Sequence, residues 1–117
     1  MRGRIIHFGV DIGNRIAPLK DAGYRVDECR SLAQLHAALV GILAADAVAV
    51  TDNDGGIPQG AISLIRATSI APLILFQNDN HRHNSAEFDL VVPSSIEARD
   101  WLSSIAEVMA RSVQRDR

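Results

Sequence analysis

With 117 residues, 47% hydrophobic and 22% charged, the chain can fill one sizeable core and is too apolar for intrinsic disorder. Its formal charge of −2 lacks the basic excess expected of a partner for nucleic acid or an anionic membrane surface. The lone cysteine, Cys29, excludes an internal disulfide and suits a reducing cytoplasm, and no apolar run reaches the ~20 residues of a membrane-spanning helix.

Met1-Arg2-Gly3-Arg4 is basic, but the apolar run from Ile5 to Val10 is too short for a signal-peptide core, and Asp11 follows it. That run predicts a first strand instead, ended by Asp11 and Gly13. Asn14 to Ala22 predicts a short helix, provided Pro18 falls in its first turn, where a missing N–H costs nothing. Gly23 is a helix stop, and Tyr24 to Cys29 alternates as a second, half-exposed strand. Ser31 followed by Gln34 makes a capping-box pattern, and Leu32, Leu35, Leu39, Ile42 and Leu43 recur at helical spacing. An amphipathic helix is therefore expected from Ser31 to Ala44.

Ala47 to Thr51 carries only small and β-branched side chains, as a strand buried on both faces should. It runs abruptly into the acidic turn Asp52-Asn53-Asp54-Gly55-Gly56. Pro58 suits a first helical position, and Ala61, Ile62 and Ile65 give the buried side of a helix ending near Ser69. Pro72 to Phe76 predicts a fourth buried strand; Gln77 to Glu87 is polar and has room for one helical turn or none. Phe88 to Val92 predicts the fifth strand, closed by Pro93. Ser94 and Glu97 repeat the capping-box pattern ahead of a stripe of Trp101, Leu102, Ile105, Val108 and Met109. Arg111, Arg115 and Arg117 lie where cations complement the end of that last helix.

Strands alternating with helices imply a single α/β domain over 1–117, with a doubly wound parallel sheet and right-handed crossovers. In such sheets ligands and chemistry gather beyond the carboxyl ends of the strands. Asp11, Asp52 and Asp54 should meet there. They are candidates for a divalent cation, because hard ions prefer carboxylate oxygens, yet turn and capping chemistry explains each of them equally.

The phrases Ala22-Gly23-Tyr24-Arg25-Val26, Asp46-Ala47-Val48-Ala49-Val50, Pro72-Leu73-Ile74-Leu75-Phe76 and Asp89-Leu90-Val91-Val92-Pro93, in that order, resemble the response-regulator receiver domains of two-component signalling. The resemblance covers nearly the whole chain and implies a flavodoxin-like, five-stranded parallel sheet of order 2-1-3-4-5. It also implies an aspartate that accepts a phosphoryl group, an acid pair that helps hold Mg²⁺, a hydroxyl residue and a lysine. Those partners position the phosphoryl group and offset its charge.

Laid on this chain residue by residue, that set is degenerate. The acid pair falls on Gly9 and Val10, the phosphoacceptor on Thr51, the hydroxyl residue on Gln77 and the lysine on Val92. The aromatic switch position falls on Asp89, beside Phe88. Pro93 survives from the Lys-Pro pair, and the resemblance implies a cis peptide before it. The first and fourth helices are expected to be shorter than is usual in the family. The mouth of the sheet is expected to be acidic, with no positive counterpart.

Three readings follow. The first is a pseudo-receiver in bacterial cytoplasmic signalling, neither an enzyme nor the holder of a resident cofactor, acting on a protein partner or as a homodimer through its last helix. The second is a working receiver phosphorylated on Asp52, with Mg²⁺ held by Asp11 and Asp54. The third is a small-ligand site at the strand ends, where Gly55-Gly56 would let backbone amides approach an anion.

Other features carry less. Asp52-x-Asp54-Gly resembles the opening motif of haloacid-dehalogenase-like phosphotransferases, but the chain is too short for that fold and its only lysine is Lys20. Asp79, His81 and His83 form a solvated loop or an incomplete zinc site. His7 is expected in the core or at a strand end, His36 on a polar helix face, and Cys29 as a packing residue. Trp101 is a core anchor or an interface aromatic.

Overall fold

β-Branched, aromatic and other apolar side chains let five short runs pair as strands between two helical layers. In the computed structural model, which describes residues 3–41, 44–52, 59–77 and 87–115, these runs are β1 (Gly3–Phe8), β2 (Tyr24–Cys29), β3 (Ala47–Thr51), β4 (Leu73–Phe76) and β5 (Leu90–Val92). The helices are α1 (Ile16–Asp21), α2 (Leu32–Leu39), α3 (Gln59–Thr68) and α4 (Ala98–Arg115). All strand pairs are parallel, in the order β2-β1-β3-β4-β5, so the expected flavodoxin-like sheet forms.

The two-residue period of the strands sorts their side chains onto two faces. Ile6, Phe8, Val48, Val50, Leu73 and Leu75 point to one face, where Leu35 of α2 and Ala61 and Ile65 of α3 cover them. Ile5, Ala47, Ala49, Ile74 and Phe76 point to the other, under Leu19 of α1 and Trp101 and Ile105 of α4. Full burial of a Leu, Ile or Phe side chain stabilises a fold by ~1.5–3 kcal/mol, so these two layers hold the sheet together.

At the β2 edge, Arg4 reaches from β1 to Asp27, with Nε 2.5 Å from Oδ2. Burial pushes the Asp27 carboxyl up, but the hydrogen bonds and charges of Arg4 and Arg25 outweigh it and hold the group below its ordinary value. At the other edge, the Asp89 carboxylate accepts the Leu73 N–H at 2.7 Å and its own N–H donates to the Leu73 carbonyl at 2.8 Å. Arg66 of α3 braces that corner through the Asp89 carboxylate and the Glu87 carbonyl.

Several boundaries differ from expectation. β1 stops at Phe8, because Gly9 turns to φ +110° and leaves Val10 46% exposed. Pro18 is the third residue of α1, within the first turn as the sequence required. The Ser31 hydroxyl accepts the Gln34 N–H at 3.1 Å, and the Gln34 side chain accepts the Arg30 N–H at 2.7 Å, so the predicted cap is real. α2 nevertheless ends at Leu39, well before Ala44. Val40 and Gly41 follow outside it, and by Asp46 the chain has joined the sheet, its N–H donating to the Arg4 carbonyl at 2.8 Å. β5 begins at Leu90, since Asp89 is engaged in closing the edge.

The last helix opens three residues later than the Ser94–Glu97 pattern suggests. The chain first makes a turn in which the Ile96 N–H donates to the Pro93 carbonyl, and the Glu97 carbonyl then starts α4 by accepting from Asp100 and Trp101. The peptide before Pro93 is trans, not cis. The Val92 carbonyl is held in the β4–β5 ladder by the Gln77 N–H at 2.8 Å, and the turn that follows is made with an ordinary trans proline. The expected shortening of a fourth helix concerns residues 78–86, outside the described residues.

Candidate functional site at the carboxyl edge of the sheet

Parallel strands all end at one edge, and the central pair β1 and β3 bring His7, Gly9, Thr51 and Asp52 together there. Thr51 and Asp52 are both buried. Gly9 lies so near Thr51 that a Cβ on it would stand 2.8 Å from the Thr51 carbonyl oxygen, at a φ only glycine adopts freely. That contact accounts for the glycine, and it places the first acid-pair position directly against the position expected for the phosphoacceptor. Gln77 and Val92 adjoin one another, joined by a backbone hydrogen bond, and Val92 is packed in the apolar layer under α4. Gly9, Thr51, Gln77 and Val92, four of the five positions where receiver chemistry was expected, therefore share one edge, and neither they nor Val10 carries an acid or a base.

Thr51 is instead tied to a histidine. The Nε2 of His7 lies 2.6 Å from Thr51 Oγ1, the imidazole is fully buried, and its Nδ1 has no hydrogen-bond partner among the described residues. The His7 ring stands 6.2 Å from that of Phe76, which packs edge-on against Trp101 at 5.4 Å. Burial lowers the His7 pKa, against the pull of Asp11 and Glu28, with the Arg30 and Arg15 charges lowering it further. That direction favours the neutral imidazole.

Asp11 belongs to a different structure. Its carboxylate accepts the N–H groups of Arg15 at 2.8 Å and Ile16 at 3.2 Å, which closes the turn into α1. Turn chemistry, the alternative weighed from the sequence, is thus what Asp11 performs. Among the described residues no group of three or more His, Cys, Asp or Glu is arranged to hold a metal ion. Gly9 and Val10 offer no oxygen ligands from their side chains, so a hard cation of the receiver type is not matched by the donors described here. Asn53, Asp54, Gly55 and Gly56, and the Asp79, His81 and His83 loop, lie outside the described residues.

The mouth is not without positive charge, which corrects the purely acidic hollow expected from the sequence. Arg15 is 4% exposed, its guanidinium sits 5.1 Å from the centre of the Phe76 ring, and it donates to the carbonyls of Gln77 at 3.3 Å and Ile12 at 3.5 Å. A short helix over Asn14 to Ala22 does not by itself place Arg15 at the strand ends. The one local signal was Asp11 four residues earlier, poised to turn the chain back over the strand ends.

The remaining candidates resolve simply. Trp101 is a core anchor, buried against Phe76. Cys29 is buried at the end of β2, and burial pushes its thiol up, as suits a packing residue. His36 is exposed on α2. Among the described residues no helix is long and apolar enough to cross a membrane.

No family model matches the chain, and no curated protein sequence does. Solved structures do resemble it. The CheY-like receiver domain protein of Methanospirillum hungatei JF-1 aligns with a TM-score of 0.74 over 97% of this chain and 98% of that one, at 14% identity. The N-terminal domain of a response regulator/sensory box/GGDEF protein of Carboxydothermus hydrogenoformans aligns at 0.72, again over 97% and 98%, with 15% identity. NtrX from Brucella abortus, solved in complex with ADP, aligns at 0.77 over 99% of this chain and 28% of its own, with 13% identity. The fold is that of response-regulator receiver domains; at these identities the likeness extends to the fold alone.

Proposed function

We propose that this chain is a receiver-like signalling domain that stores no aspartyl phosphate and acts by binding a protein partner, a second copy of itself included. The observation that carries this reading is Thr51. It occupies the place expected for the phosphoacceptor, it is 3% exposed, and its hydroxyl is held by His7. Phosphoryl transfer needs in-line access and nearby positive charge to offset what develops on the phosphoryl oxygens. Here the acceptor position is a buried alcohol, the lysine position is the buried Val92, and Arg15 is directed to carbonyls and to Phe76. On this reading the chain is not an enzyme, keeps no resident cofactor, and works in the cytoplasm of a bacterial cell. Its output surface is built from the α4 side of the sheet, where a homodimer would form.

The test is incubation with acetyl phosphate or beryllofluoride and Mg²⁺, followed by intact mass and backbone NMR. The expected result is no stoichiometric adduct and no shift of the Asp52 amide. An adduct lost in Asp52→Asn would establish the second reading, a receiver phosphorylated one residue beyond Thr51 with Mg²⁺ on Asp11 and Asp54. Thermal stabilisation by one member of a nucleotide and metabolite panel would establish a ligand site at the strand ends.

A further inference from the structure

The His7 imidazole is a titratable group sealed in the core, and its burial favours the neutral form over the pull of Asp11 and Glu28. In that form Nε2 bonds Thr51 at 2.6 Å, and a bare Nδ1 lone pair is a tolerable loss. A proton makes both nitrogens donors. Nδ1–H then has no acceptor among the described residues, and a cation stands in a fully buried position.

The surroundings compensate poorly. Asp11, from the loop before α1, is engaged with the Arg15 and Ile16 amides. Glu28 of β2 is half exposed and faces Lys20 of α1 at 3.9 Å. Arg30, just after β2, and Arg15 oppose a second cation. From β3 comes the Thr51 hydroxyl, with Asp52 the next residue; β4 presents the uncharged ring of Phe76, and α4 packs Trp101 behind it. The tightest conflict is at Phe76. Its ring already carries the Arg15 guanidinium at 5.1 Å and lies 6.2 Å from the imidazole, so a charged His7 and Arg15 would stand as two cations around one buried ring.

We propose that His7, Arg15 and Phe76 form a proton-controlled latch: proton uptake by His7 leaves an Nδ1–H without an acceptor in the core, drives the Arg15 guanidinium off Phe76 and loosens Trp101 on α4. The carboxyl edge of the sheet would thereby report local acidity to the helix on its flank, without a phosphoryl group. This input goes beyond the partner-binding reading and does not depend on it; either can fail while the other stands.

Trp101 is the chain's single tryptophan, so its fluorescence reads the latch directly. Emission is followed from ~pH 8 to ~pH 5, with far-UV circular dichroism and the His7 imidazole resonances measured in parallel. The expected result is a reversible change in Trp101 emission that tracks His7, with a midpoint below the ~6.5 of a free histidine and constant secondary structure. Arg15→Met, which removes the competing charge and keeps an aliphatic chain over Phe76, should move that midpoint upward. His7→Gln, which can still bond Thr51, should abolish the change. Flat emission while His7 titrates overturns the latch. So does a change that coincides with loss of circular dichroism, or a midpoint unmoved in Arg15→Met. Should His7→Gln not fold, the Arg15→Met shift decides the matter by itself.

Discussion

The Nε2 of His7 lies 2.6 Å from Oγ1 of Thr51, across the two central strands of the sheet and out of contact with solvent. Both side chains come from positions that point beneath α1 and α4, alongside Ala49 and Phe76, and each satisfies a polar atom of the other where water cannot. A receiver-type edge with this pair at its centre is organised around a buried neutral hydrogen bond, where a working receiver needs an exposed carboxylate.

Removing the hydroxyl while keeping the shape should therefore be costly. Thr51→Val leaves the His7 imidazole with no partner for either nitrogen among the described residues. An unsatisfied buried polar group costs about 1–3 kcal/mol. Chemical denaturation should show a loss of that size with an unchanged slope. No loss would mean that the bond contributes nothing net.

Stability should rise with pH through the range where free histidine loses its proton. Burial depresses the folded-state pKa of His7, so between that value and ~6.5 the unfolded chain binds more protons than the folded one. The contribution is fully present above ~6.5 and is lost as pH falls through the folded value. Asp27, also depressed, contributes the same sign of dependence further down, below the ordinary carboxylate range. Denaturation midpoints across the histidine window should slope upward in the parent and flatten in His7→Gln, while the Asp27 limb remains in both.

How much of this was legible depended on how local the cause was. β2 and β3 were readable to the residue, because turn signals such as Gly23 and the acidic end at Asp52 bound them within the sequence itself. The late start of α4 was not, since the Pro93–Ile96 turn competes with the capping pattern and wins once Val92 is fixed by Gln77 across the ladder. The site divides the same way. The degeneracy of Gly9, Thr51, Gln77 and Val92 was visible from residue types alone. Arg15 was missed because its acceptor, the Gln77 carbonyl, lies 62 positions away and its burial depends on the turn closed by Asp11. The identity of the Thr51 partner needed the β1–β3 register, which no local pattern encodes.

Trp101 should be the most expensive single truncation on α4. Its ring is buried edge-on against Phe76 and belongs to the layer that also holds Leu19, Tyr24 and Ile105. Truncation of a buried tryptophan to alanine costs about 3–5 kcal/mol. Trp101→Ala should lose that much in denaturation, whereas Ile70→Ser, at an 84% exposed position, should stay within ~0.5 kcal/mol. Equal effects would mean that α4 is held by contacts other than its tryptophan.

Rebuilding the receiver acid pair at Gly9 should fail, for a reason that lies in the backbone. Gly9→Asp places a Cβ 2.8 Å from the Thr51 carbonyl and imposes a side chain on φ +110°. Strained backbone of this kind costs about 1–3 kcal/mol, and the clash adds to it because a strand carbonyl cannot move aside as a flexible side chain would. The new carboxylate would also share with Asp52 an edge whose buried cation among the described residues, Arg15, donates to the Gln77 carbonyl. The variant should be destabilised by at least ~1 kcal/mol and should gain no Mg²⁺-dependent stabilisation in a thermal melt. Gly9→Ala, which shares the backbone strain without the charge, should lose nearly as much. Were Gly9→Asp to fold normally and melt higher in Mg²⁺, the edge would be one substitution from a working receiver, and the separation from phosphotransfer would be one of residue type and not of backbone.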